Sequence, residues 1–98
     1  MKYLIALLVM SSSCFAHNAS VFCDKRTAMG GGMNCGAMVF AHKSLPLGSW
    51  HLLKSGGRLI RARVVDRGPY VRGRIFDLSP GLAKALGING LGNVSLVR

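Results

Sequence analysis

The chain has 98 residues, room for one small domain built on one core. Thirteen Lys and Arg stand against three Asp and no Glu, a formal charge of +10. That balance argues against a neutral or cationic polymer gathered by charge and favours an anionic one: nucleic acid, an acidic membrane face or bacterial cell wall. The plain alternative is that the charge serves solubility alone.

The first stretch, "MKYLIALLVMSSSCFA", has one cation (Lys2), an apolar run from Tyr3 to Met10 and small residues up to Ala16. This is the layout of a secretory signal peptide over residues 1–16, with cleavage after Ala16. The run is far shorter than the ~20 residues that span a bilayer, so no transmembrane segment is expected. Acylation of Cys14 as a lipoprotein is the weaker alternative, because Ser11 stands where an apolar residue belongs. Export to the periplasm or outer envelope follows from this reading, and it counts against a nucleic-acid partner. Loss of Lys2 would leave the mature chain, residues 17–98, at +9. Cys23 and Cys35 would then remain as an even pair, expected to form a disulfide in an oxidising compartment. Together with His17, His42 and His51 they show no zinc-type spacing, so neither a metal nor a cofactor is expected.

Next comes "HNASVFCDKRTAMGGGMNCGAM", rich in Gly and small residues and read as loop around Gly30–Gly32. It lacks the Lys-Ser/Thr of a phosphate cradle. The pattern then turns β-like: "MVFAH", "SWHLL" and "RLIRARVV" read as strands, with turns in "LPLGS" and "KSGGR". In the last of these, Leu59, Arg61, Arg63 and Val65 fall on one side and Ile60, Ala62 and Val64 on the other, as in a strand buried on one face. Trp50 reads as a core residue. "RIFDL" is a further short strand. A helix is marked by Ser79 as N-cap, Pro80 at the first helical position, Leu82, Ala83 and Leu86 on one face, and Gly87 just past the end. "NVSLVR" closes the chain as a strand. Many short strands and one short helix predict a closed all-β barrel rather than an open sheet.

"ASVF", "RTAMG", "AHKSLPLGS", "VVDRGPYVRGRIFDLSPGLAKALGI" and "NVSLVR" together resemble, in order, the domain of the rare lipoprotein A (RlpA) family. The similarity runs over nearly all of residues 17–98. It implies a six-stranded double-psi β-barrel, related to expansins and barwin, with a groove for the glycan strands of peptidoglycan. The implied activity is lytic cleavage of the MurNAc–GlcNAc bond, leaving a 1,6-anhydroMurNAc end, by a monomer.

Two of the three acids, Asp66 and Asp77, lie in the block with this resemblance. Hydrolysis of a glycosidic bond ordinarily employs two carboxyl groups. Lytic cleavage can manage with one, which protonates the leaving oxygen and then takes the proton from the sugar's own C6 hydroxyl. Asp77, between Phe76 and Leu78, is expected to be desolvated and so raised in pKa, as a proton donor requires. Asp66, in "DRGP", is either an essential acid of the family pattern or the hydrogen-bond acceptor of a turn. His42 matches a groove position and is expected to bond the substrate or the acid. Arg67, Tyr70 and Arg74 are expected to bind substrate, Tyr70 by stacking on a sugar ring. The family pattern reads Thr-Ala-Ser-Gly-Glu where this chain has "TAMGG", so Gly31 replaces a Glu. If that Glu assists catalysis, the resemblance implies slower turnover, or else a noncatalytic expansin-like or barwin-like wall-binding module.

Overall fold

A computed structural model describes residues 17–97; the expected signal peptide, with Cys14, lies outside the described residues. The architecture is all-β with one short helix. Strands β1 (Ala19–Val21), β2 (Val39–Ala41), β3 (Trp50–Ser55), β4 (Arg58–Asp66) and β5 (Phe76–Leu78) precede helix α1 (Pro80–Leu86), and β6 (Ser95–Val97) ends the fold. They form one six-stranded sheet of order β1-β5-β2-β4-β3-β6. Two pairings are parallel, β1 with β5 and β2 with β4, and the other three are antiparallel.

This is the double-psi β-barrel expected from the resemblance, curled as a half-barrel. The two end strands are not joined by a ladder; Asn18 laces the seam between them. Its side-chain amide donates to the Val94 carbonyl (2.8 Å), and its side-chain oxygen accepts from the Val94 N–H (2.8 Å). Ala19 and Gly92 exchange backbone bonds beside it.

Alternation along β4 follows the sequence, with Ala62 and Val64 fully buried against Phe40, Leu53, Leu78 and Leu82. The β3–β4 hairpin pairs in unbroken antiparallel register from Ser55–Arg58 to Trp50–Arg63. The expected position of Trp50 is corrected: it lies on the outer face and is 50% exposed. Leu53 sets the inward parity of β3, so His51 faces inward instead, edge-on to Phe40 with ring centroids 6.4 Å apart. "SWHLL" holds too little alternation to fix which side is inside, and one step of register exchanges the faces.

The helix caps are those the residues dictate. Ser79, fully buried, accepts from the Leu82 N–H at 3.0 Å and donates to the Ala37 carbonyl at 2.6 Å, joining the helix start to the loop before β2. Gly87 takes the left-handed conformation (φ 77°) that ends the helix. Leu82, Ala83 and Leu86 bury the expected face. β1, three residues long, has no alternation long enough to be read in advance.

Candidate active site

The sheet brings together residues far apart in sequence. On β5, Asp77 stands opposite Ser20 of β1 on one side and Ala41 of β2 on the other. Ala41 in turn stands opposite Asp66 of β4. Ser20, Asp77, Ala41 and Asp66 therefore form one row across four neighbouring strands. Two interstrand spacings separate the acids, on the order of 10 Å between Cα atoms. Asp66 owes its place to a register shift: Phe40 faces Val64, but the next residue, Ala41, faces Asp66 and skips Val65. A bulge of this kind re-aims a side chain at a strand end.

Asp77 is half-buried, and Ser20 donates a 2.7 Å hydrogen bond to its Oδ1. Burial is the largest influence and raises its pKa above the ordinary carboxylate value. The Ser20 bond and the Arg74 charge oppose this, while Asp24 and Asp66 add to the rise. Both other acids of the chain thus act at this one carboxyl. Ser20 and Asp24 were not legible as site residues: Ser20 lies 57 positions from its partner, and Asp24 carries no motif.

Asp66 Oδ1 accepts from the backbone N–H of Ala28 (2.9 Å) and of Arg67 (2.8 Å). The first bond ties it to the Gly-rich loop, which is also held by Met29 N–H donating to the Val65 carbonyl. The Cys23–Cys35 disulfide closes that loop at its base, with Cα atoms 5.7 Å apart. Asp66 therefore does act as a turn and loop acceptor.

His42 follows β2 and packs edge-on to Phe76, the neighbour of Asp77, at 5.6 Å. Its Nδ1 accepts from the N–H groups of Ser44 (3.1 Å) and Leu45 (3.2 Å), which puts the proton of the neutral ring on Nε2. Its pKa is lowered by burial first, then by the charges of His51, Arg67 and Lys43, so the neutral ring is the favoured form. Arg67 fixes the same loop: its Nη1 donates to the carbonyls of His42 (3.1 Å) and Leu45 (2.7 Å). One guanidinium nitrogen of the expected substrate ligand is thus committed to positioning His42.

Tyr70 projects into solvent, 78% exposed, and Arg74 lies half-buried near Asp77. Gly31 sits in the Gly-rich loop with φ 79°, where a Glu would be strained. No cluster of three His, Cys, Asp or Glu able to hold a metal occurs among the described residues, nor does a helix there have the length and apolarity to cross a membrane.

The family model described as "Lytic transglycolase" matches residues 14–97. The probable endolytic peptidoglycan transglycosylase RlpA of Nostoc sp. is 39% identical over 90 residues, covering 90% of this chain and 24% of that protein. Its counterpart in Synechocystis sp. is 42% identical over 79 residues, 76% of this chain and 25% of that protein. The endolytic peptidoglycan transglycosylase RlpA of Pasteurella multocida is 41% identical over 73 residues, 72% of this chain and 25% of that protein. The chain thus spans about a quarter of the length of these relatives.

Proposed function

The chain belongs to the lytic transglycolase family, and from that premise we propose that it cleaves the glycan strands of peptidoglycan at the MurNAc–GlcNAc bond, leaving 1,6-anhydroMurNAc ends. The observation that carries this reading is Asp77, a carboxyl raised in pKa by burial and held by Ser20, two strands from a second carboxylate.

In this reading Asp77 delivers its proton to the glycosidic oxygen as the C1–O bond breaks. The C6 hydroxyl of the same sugar then attacks C1, and the Asp77 carboxylate takes the hydroxyl proton. The acid is regenerated and no water is consumed. The attack is intramolecular, with the entropic advantage that brings. Asp66 offers negative charge to the oxocarbenium-like centre. Nε2–H of His42, oriented by its loop and by Arg67, donates to a substrate oxygen. Tyr70 and Arg74 contact flanking sugars. The reading includes export to the periplasm or outer envelope through residues 1–16, and action as a monomer without a cofactor.

Purified sacculi incubated with wild type and with Asp77→Asn test the chemistry. Mass spectrometry should find soluble products lighter than hydrolytic ones by one water, and the variant should lose about 10²–10⁴-fold in rate. Reducing MurNAc ends would make the protein a hydrolase. A second reading, a wall-binding module without turnover, is favoured by Gly31, which leaves the Gly-rich loop without the Glu of the family pattern; binding without any soluble product would select it.

A further inference from the structure

Trp50 is the chain's single tryptophan and stands half-exposed on the outer face of the β3–β4 hairpin. Arg63 is its cross-strand partner. The guanidinium carbon of Arg61 lies 5.0 Å from the ring centroid and that of Arg63 5.9 Å. Cation–π stacking of this kind orients an indole and uses none of the guanidinium N–H donors, which stay available at the edges of the plane.

Arg63 is anchored, its Nε donating to the Gly48 carbonyl at 3.0 Å. Together with Met29, Val39 and Val65 it lines a cavity of about 240 Å³. A side chain at Gly48 would press on Arg63 and Met29, and the φ of 88° there disfavours one. The cavity borders the end of β4 that carries Asp66. Val65 immediately precedes Asp66, and the loop over the cavity carries Ala28, whose N–H holds the Asp66 carboxylate.

We infer that Trp50, Arg61 and Arg63 form a distal subsite for a carboxylate-bearing sugar of the bound strand, its ring against the exposed half of the Trp50 indole and its carboxylate on the guanidinium edges. Charge complementarity selects this occupant, and Arg63, shared by the cluster and the cavity, places the cluster on the same strand as Asp66. The inference rests on the proposed glycan substrate but not on turnover.

Binding is therefore measured in the Asp77→Asn background, with two probes: muramyl glycan strands freed of stem peptides, whose lactyl carboxylates are exposed, and chitin oligosaccharides of similar length, which lack the lactyl carboxylate. Trp50→Ala should weaken binding of both probes by about tenfold, the scale of one well-packed aromatic contact, and Trp50→Phe should restore most of it. Arg61→Gln should weaken the muramyl strands only and flatten their salt dependence. Muramyl binding by Trp50→Ala within about twofold of its parent overturns the subsite. Equal losses on both probes in Arg61→Gln overturn the carboxylate assignment. If wild type releases no anhydro product yet Trp50→Ala loses binding, the subsite stands and the catalytic reading falls. Anhydro product from wild type with unchanged binding by Trp50→Ala removes the subsite and leaves the catalytic reading in place.

Discussion

Replacing both Cys23 and Cys35 by Ser separates the stability of the fold from the order of its site. The bridge joins residues 12 positions apart. Constraining a loop of that length in the unfolded chain stabilises a protein by about 3 kcal/mol. For a domain of this size each kcal/mol corresponds to roughly 4–8 °C in Tm, so the double variant should melt roughly 12–24 °C lower. The site should respond as well. Between the cysteines, the loop meets the sheet through Ala28 on Asp66 and Met29 on Val65, and beyond its base Gly81 N–H donates to the Cys35 carbonyl (2.8 Å). With the bridge gone, the Ala28 and Met29 bonds must hold an otherwise exposed loop, and turnover per folded molecule should fall. Denaturant titrations of the two proteins, with turnover assayed where both are fully folded, check both claims. Unfolding free energies within about 0.5 kcal/mol of each other would refute the entropic reasoning. A large stability loss with unchanged turnover would show that the Asp66 loop holds its place without the bridge.

Gly81→Ala should cost about 1–3 kcal/mol in a chemical melt, because its new Cβ would meet the Gly36 backbone and neither backbone can yield cheaply. The raised pKa of Asp77 sets the sign of two pH effects. In its proposed role of general acid it would work protonated, so turnover should fall as pH rises through a pKa above that of an ordinary Asp; a limb at the ordinary Asp position would show another group is the donor. In stability, a raised folded pKa favours the fold below the unfolded value, and that contribution is lost as pH rises through the folded value. Asp77→Asn should therefore be at least as stable as wild type at neutral pH, as a thermal melt would show. Arg67→Met should lower turnover with little change in Tm if the guanidinium's main duty is to hold the His42 loop, and an unchanged rate would remove it from the site.

Much of the fold was legible because its signals are local. The alternation of residues 58–65, the Ser79–Pro80 cap and the Gly87 stop each arise within a few positions, and each forms as its chemistry dictates. What escaped depends on contacts distant in sequence. β1 acquires its pairing from β5, and the seam is closed by Asn18 acting on residues some 75 positions away. Trp50 lies opposite to its expected side because the parity of β3 is fixed by its partner strand, not by its own composition. In the candidate site, Asp66, Asp77 and His42 stood out as residue types in a motif, whereas the Ser20 bond and the split commitment of Arg67 exist only once the strands are laid side by side.

The proposed chemistry asks that a chain with three acids keep one of them protonated, and that arrangement favours it. A cationic surface draws in an anionic strand, but many nearby guanidiniums would also hold a carboxyl ionised and spoil it as a donor. Here the strongest influence on Asp77 is burial, not charge. The one cation acting to lower its pKa, Arg74, is opposed by both remaining acids, Asp24 and Asp66. Arg63 and Arg67, meanwhile, give N–H groups to backbone carbonyls at Gly48, His42 and Leu45. Two of the basic residues thus serve as scaffolding, while the two other acids both act to raise the pKa of Asp77. Ser20→Lys would reverse that division, because it exchanges the neutral donor on Asp77 Oδ1 for a charged one. The ammonium should favour the ionised form of Asp77 and move the alkaline limb of turnover to lower pH. A pH–rate profile with its limb unmoved would show that charge beside Asp77 does not govern the proton it delivers.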